Sequence, residues 1–168
     1  EGENEFLGKG VSYCATCDGP LYRDKEVAVI GDSQYAEEDA NYLAEVCEKV
    51  YYIPLYKEIL DLSTSIEVVS DKPKRILGDQ VVRELELDKG NLEVSGIFII
   101  KESIPTTKLL KGLEMENKAI KVNHFMETNM KGIYAAGDCT GRPYQVGKAV
   151  GEGNVAALQA VSYLHKLK

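Results

Sequence analysis

Apolar and polar positions alternate along this chain in blocks that switch between strand and helix periods. The run Glu-Val-Ala-Val-Ile-Gly at 26–31 is a short buried-strand pattern ending on a glycine. Behind it, "SQYAEEDANYLAEVCEKV" spaces Tyr35, Ala36, Ala40, Leu43, Ala44, Val46, Cys47 and Val50 as a helix does. "VYYIPLY" then reads as a second strand, stopped by Pro54. Strand, helix and strand make a βαβ unit whose first turn sits at Gly31. Shorter β-type runs follow in "SIEVVSD", "PKRILGD", "VRELELDKGNLEVSG" and "GIFII", with Asp88-Lys89-Gly90 as a hairpin turn. Residues Val11 to Ile100 are thus expected to form one α/β unit with an antiparallel addition.

After "KESIPTT" the texture changes. "AIKVN" and "GIYAAGD" (132–138) read as strands. The closing helix carries Val146, Ala149, Val150, Val155, Ala156, Leu158, Ala160, Val161 and Leu164 and is apolar nearly all round. Such a helix is expected to be packed under other layers. The last third reads as a piece of a second domain.

The composition is that of an ordinary globular protein: 168 residues, 44% hydrophobic and 28% charged. No apolar run approaches the ~20 residues that span a bilayer, and the first residues carry no signal pattern. A net charge of −7 argues against nucleic acid or an anionic membrane as partner. The chain does not begin with Met, so it is expected to be a fragment of a longer one.

Four cysteines are too few for a disulfide scaffold. Cys14 and Cys17 are close, whereas Cys47 and Cys139 stand alone and read as buried thiols. Two thiols with two residues between them can close a disulfide without rearranging the backbone, and one thiolate is favoured at a helix N-terminus. The rival readings are half of a zinc site and a pair of inert buried thiols. Zinc usually needs four ligands, and Cys47, Cys139, His124 and His165 offer no second pair in zinc-like spacing, so no metal site is expected. Asp18, directly after Cys17, can move a proton when a thiolate leaves, or can simply cap a turn.

The turn at Gly31, Ser33 and Ala36 is a degenerate version of a dinucleotide fingerprint. Gly31 and Ala36 fit. Ser33 stands where a second glycine would let backbone approach pyrophosphate. Glu37, Glu38 and Asp39 fill the first helical turn, where a phosphate would otherwise bind. A plain strand-turn-helix is the other reading. The next strand ends in "YYIPLYKEI", with neither an acid for a ribose hydroxyl nor an arginine for a 2′-phosphate at its tip. Near the end, Gly137-Asp138 closes an apolar run, where a carboxylate can accept a sugar hydroxyl or where the chain merely turns.

Taken in order, "GVSYCATCDG", "VAVIG" and "GIYAAGD…YQVGKAVGEGNVAA" resemble the small thioredoxin reductases of bacteria and archaea, over nearly the whole chain. The resemblance implies an α/β fold: a Rossmann-like three-layer nucleotide-type domain at 1–101, and at 102–168 the C-terminal part of a split FAD-binding domain. It implies that Cys14 and Cys17 form the redox-active disulfide, with Cys17 facing the flavin, Cys14 attacking the substrate disulfide and Asp18 as acid–base group. Gly137, Asp138, Gln145, Val146 and Ala149 match positions around FAD. Thioredoxin or a glutaredoxin-like protein is the implied substrate, the complete protein the implied homodimer, and the cytoplasm the implied location.

Two departures matter. Nothing here corresponds to the family's opening flavin-binding glycine-rich segment. The basic residues that grip NADPH align on Pro54, Leu55 and Tyr56. The second departure makes NADPH doubtful and matches relatives that take electrons from ferredoxin. An NADPH-dependent reductase, or a non-catalytic module that kept the fold, are the alternatives.

Overall fold

In this computed structural model, residues 1–101 and 110–167 are described. The chain divides into two compact units, Glu1–Glu102 and Ser103–Lys168.

In the first unit, β1 (Val11–Ser12) leads into a single helical turn, α1 (Ala15–Asp18). The run at 26–31 forms β2 (Glu26–Gly31), followed by α2 (Tyr35–Val46) and β3 (Lys49–Pro54). Then come β4 (Glu67–Val68), β5 (Pro73–Gly78), β6 (Val82–Leu87), β7 (Asn91–Glu93) and β8 (Gly96–Ile100). Five strands make a parallel sheet in the order β1-β8-β2-β3-β4. β5, β6 and β7 form a separate antiparallel sheet.

Strand alternation explains the layers. Val27 and Val29 of β2 pack with Val50, Tyr52 and Phe98 against Ala36, Ala40 and Leu43 of α2. Ala28 and Ile30 face the other way, with Tyr51, Ile53, Ile97 and Ile99, onto Ile76, Val82 and Leu85 of the antiparallel sheet. A strand buried on both faces carries apolar residues throughout, which is why β2, β3 and β8 read as continuous runs. The result is helix, sheet and sheet in three layers: the α/β unit with an antiparallel addition that the pattern predicts, layered as the resemblance implies.

Details differ. Val50 belongs to β3, not to the helix, because α2 stops at Val46 and Cys47 is already extended (φ −90°, ψ 161°). Tyr35 opens the helix but is exposed. β8 lies between β1 and β2, a neighbour relation that order along the chain does not reveal.

In the second unit, β9 (Met115–Glu116) pairs with β10 (Ala119–Ile120), so only two residues of "AIKVN" are strand. "GIYAAGD" is not a strand: Tyr134 bridges Glu127 in isolation, and Gly137–Thr140 is a 3-10 turn. An apolar extended run becomes a strand only where another strand takes its hydrogen bonds, and the described residues supply one bridge. The closing helix α3 (Val146–His165) forms, but none of its residues is buried: Val146 is 74% and Val150 66% exposed. The described residues thus leave its all-round apolar surface uncovered, where the sequence predicts a helix packed under other layers.

Gly31 ends β2 where space is short. A β-carbon there would strike the Tyr52 hydroxyl and stand 2.6 Å from the Ala36 β-carbon. Gly31→Ala is expected to destabilise the protein by about 1–3 kcal/mol through overpacking. Urea denaturation of the two chains checks this.

Candidate functional site

The cysteine pair hangs from the edge of the parallel sheet. β1 pairs Val11 and Ser12 with Ile97 and Phe98. The chain then turns outward into α1, with Cys14 in extended geometry as its N-cap. Cys14 and Cys17 are joined in a disulfide with Cα atoms 5.3 Å apart. The Cys17 amide donates to Cys14 Sγ at 3.2 Å. Ala15 is buried and anchors the turn, while Thr16 and Cys17 are exposed and Cys14 is half-buried. The turn is therefore fixed from below and open to a partner from above.

Asp18 closes α1 and is half-buried. Its carboxylate caps neither α1 nor the following 3-10 turn, Gly19–Tyr22. Instead Asp18 Oδ2 accepts a hydrogen bond from Ser12 Oγ at 2.7 Å. Sequence reasoning missed Ser12, because nothing in "GVSYC" distinguishes a serine that reaches Asp18 from one that faces solvent. The other thiols are separate. Cys47 is half-buried at the end of α2, and burial pushes its thiol up from the ordinary range. Cys139, also half-buried, donates to the Ala136 carbonyl at 3.2 Å. Among the described residues, no group of three or more His, Cys, Asp or Glu is arranged to hold a metal ion, and no helix is long and apolar enough to cross a membrane.

The degenerate nucleotide turn is filled by its own chain. The glycine at 31 accommodates Tyr52 and Ala36. Ser33 Oγ is buried and finds no hydrogen-bond partner, and Ala36 is fully buried in the core. Glu37 does not stand out toward an incoming anion, as its place in the first helical turn suggested. It is buried, and its carboxylate accepts from Tyr56 Oη and from the backbone amides of Leu60 and Asp61, the last at 2.6 Å. Tyr56 Oη also meets Tyr52 Oη at 2.8 Å. Gln34, the N-cap of α2, and Asn41 within it donate to the carbonyls of Glu58 and Asp61, and Asn41 accepts from the Ser63 amide. The segment 56–63 after β3 is thus tied along the helix. Burial pushes the Glu37 carboxyl up, but the bonds from Tyr56, Asp61 and Leu60 outweigh it and hold the group below the ordinary glutamate range. Tyr56 is raised, by burial first and then by its bonds to Glu37 and Tyr52.

The Gly-Asp turn lies in the other unit. Gly137 adopts φ +83°, a conformation that glycine takes without strain. Glu152, in α3, accepts from the Gly137 amide at 2.8 Å and from Thr140 Oγ1 at 2.7 Å. Lys148, one turn earlier, pairs with Glu152 at 3.0 Å and donates to the Gly137 carbonyl at 2.8 Å. The Glu152 carboxyl is raised by burial but held below its usual range by Thr140, the Gly137 amide and Lys148. These bonds fasten the turn to the helix and leave Asp138 exposed. Gln145 is the extended N-cap of α3 without a side-chain cap bond, Val146 follows it, and Ala149 lies under Gly137 with its β-carbon 3.5 Å from where a β-carbon on Gly137 would be. Lys148 and Glu152 were legible only as an i, i+4 ion pair.

A family model described as pyridine nucleotide-disulphide oxidoreductase matches residues 1–153. The chain belongs to this oxidoreductase family. Over 157 residues the chain is 38% identical to a thioredoxin reductase of Aquifex aeolicus, a match covering 82% of the chain and 49% of the relative. A ferredoxin-flavin thioredoxin reductase from Clostridium acetobutylicum superposes with a TM-score of 0.63 at 54% identity, over 99% of this chain and 58% of that one. The thioredoxin reductase of Streptococcus pyogenes superposes with a TM-score of 0.80 at 28% identity, over 98% and 60%. The chain thus spans roughly half to three-fifths of these relatives' length.

Two outcomes are expected. Thiol titration of the native, non-reduced chain should find only Cys47 and Cys139, with Cys14 and Cys17 appearing after mild reduction. Cys47, raised by burial, should react slowly. Glu37→Gln should cost about 1–3 kcal/mol at neutral pH, because a carboxamide turns an N–H toward donors. The folded carboxyl is depressed, so its stabilisation is present above the unfolded value and lost as pH falls through the folded one. The gap between the two chains should therefore narrow in urea titrations as pH falls below about 4.3, the ordinary glutamate value, and on through the depressed folded value.

Proposed function

We propose that the chain is the disulfide-bearing part of a flavin-dependent thioredoxin reductase. Electrons pass from FAD to the Cys14–Cys17 disulfide and on to thioredoxin or a glutaredoxin-like protein, with ferredoxin as the donor to the flavin. The observation that carries this reading is the closed Cys14–Cys17 pair, with Asp18 beside it, in a chain 54% identical to a ferredoxin-flavin thioredoxin reductase. In this reading residues 1–101 are the nucleotide-type domain and 102–168 the C-terminal segment of the FAD domain. The complete protein is a cytoplasmic homodimer.

The chemistry balances as a two-electron exchange. Reduction of the Cys14–Cys17 bond yields two thiols. The Cys14 thiolate attacks one sulfur of the partner's disulfide, forming a mixed disulfide and releasing a partner thiolate. Cys17 then attacks Cys14 Sγ, which restores the Cys14–Cys17 bond and releases the second partner thiolate. Each departing thiolate takes up a proton, and each attacking thiol gives one up. Asp18 carries those protons.

The residues of the second unit fit one side of a flavin cradle. Asp138 is an exposed carboxylate on a turn fastened by Lys148 and Glu152. The first amides of α3, behind Gln145 and Val146, lack intrahelical partners. FAD, when bound, supplies two-electron reducing power to the disulfide. Asp138 would accept a hydroxyl of the flavin chain, with Gly137, Gln145, Val146 and Ala149 around it.

The choice of donor rests on the nucleotide turn. An NADPH site needs close backbone approach to pyrophosphate and cations at the 2′-phosphate. Here Ser33 stands in the first position, Pro54, Leu55 and Tyr56 in the second, and Glu37 ties segment 56–61 along the helix. Each missing charge-assisted contact costs about 1.5–3 kcal/mol, so two or three raise the dissociation constant by several decades. Calorimetry of this chain is expected to find no saturable NADPH binding up to about 1 mM. In the complete protein, reduced ferredoxin should bleach the flavin, and Cys14→Ser should abolish turnover. Micromolar NADPH binding would overturn the ferredoxin reading in favour of an NADPH-dependent reductase.

A further inference from the structure

We propose that Ser12 is a positioning residue for disulfide exchange: one buried hydroxyl holds both the Asp18 carboxylate and the backbone of Cys14. The inference rests on the reading above, in which Asp18 carries protons for the Cys14–Cys17 pair.

Ser12 and Glu37 are the two buried polar side chains among the described residues, Ser12 at 4% exposure. Glu37 serves the segment after β3. Ser12 sits at the last position of β1, held in register opposite Phe98 of β8. Its oxygen is therefore carried by the parallel sheet and not by the exposed turn. It accepts from the Cys14 amide at 3.1 Å. Its single proton has two acceptors in reach, Asp18 Oδ2 at 2.7 Å and the Cys14 carbonyl at 3.4 Å. The shorter bond, to a carboxylate, takes the proton. Asp18 is also tied through its own amide, which donates to the Cys14 carbonyl at 3.2 Å. Cys14, Ser12 and Asp18 thus form a closed ring of bonds around the disulfide turn. Remove the hydroxyl and the ring opens: the Cys14 amide loses its acceptor, and the carboxylate loses the contact that sets its orientation.

The orientation of the Asp18 carboxylate matters where a delivered proton speeds the step. A departing alkyl thiolate is basic and leaves slowly as the anion, so a proton delivered as the sulfur–sulfur bond breaks speeds its departure. A departing nitro-substituted aromatic thiolate is stable as the anion and leaves without one. A positioning role for Ser12 therefore predicts damage that depends on the leaving group, whereas a purely structural role predicts equal damage to both.

The test uses the full 168-residue chain after reduction of its disulfide, with two probes. These are oxidised glutathione, an alkyl disulfide, and 5,5′-dithiobis(2-nitrobenzoate), an aromatic one. The readout is the ratio of the two exchange rates. Asp18→Asn should lower the alkyl-to-aromatic ratio by on the order of 100-fold. Ser12→Ala should lower it by about tenfold, and Ser12→Thr, which keeps a hydroxyl, should recover most of it. Adding Ser12→Ala to Asp18→Asn should change nothing further. Circular dichroism reports whether each variant folds, and Ser12→Gly removes the same hydroxyl with less bulk if Ser12→Ala does not.

A selective Asp18→Asn with an unselective or silent Ser12→Ala overturns the role of Ser12 and leaves the reductase reading standing. An additive double variant overturns it as well. An unselective Asp18→Asn removes the proton carrier itself, and the Ser12 role falls with it.

Discussion

Everything in the first unit depends on burying both faces of three parallel strands at once. β2, β3 and β8 have no polar face, so each needs a layer above and a layer below. α2 supplies one and the antiparallel sheet the other. Fully burying one Val, Leu or Ile contributes about 1.5–3 kcal/mol, and more than ten such side chains converge on these strands. The sheet edge then becomes a rigid support. β1 is only two residues long, yet its pairing with Ile97 and Phe98 is what delivers Ser12 and the disulfide turn to one place.

The same constraint shapes the nucleotide turn. Packing α2 closely on β2 and β3 brings Tyr52 and Ala36 against Gly31. The space left by the turn glycine is taken by a tyrosine hydroxyl and an alanine methyl, both of the chain itself. Tyr52 leads to Tyr56, Tyr56 to Glu37, and Glu37 to the amides of Leu60 and Asp61. A buried carboxylate is costly unless its oxygens are satisfied, and here the following segment satisfies them. Hydrogen-bonding capacity that a dinucleotide site would turn outward is spent within the fold. This is the physical basis of the proposed preference for a protein donor over a pyridine nucleotide.

In the second unit the reverse holds. α3 has an apolar surface that the described residues leave exposed, while its polar side chains at 148 and 152 are spent on the Gly137–Thr140 turn. A helix can be apolar by composition and still be uncovered, because cover is supplied by other segments and not by the helix itself.

Much of this was legible beforehand. The sequence by itself determined most strand and helix runs of the first unit, the turn at Gly31, the hairpin at Asp88–Gly90, and that Cys14 and Cys17 stand close enough to pair. These rest on periodicity or on partners a few residues apart, where spacing alone limits the geometry. It did not determine which strands are neighbours, that 132–138 lacks a ladder, or which way Glu37 points. Only the tertiary structure decided the bonds from Tyr56 and Asp61 to Glu37, across 19 and 24 residues, and the bond from Ser12 to Asp18, across 6. The reason is that a polar side chain's partner is set by what packing brings beside it. No local pattern says which serine will be buried against a carboxylate until the sheet carrying one and the turn carrying the other are joined.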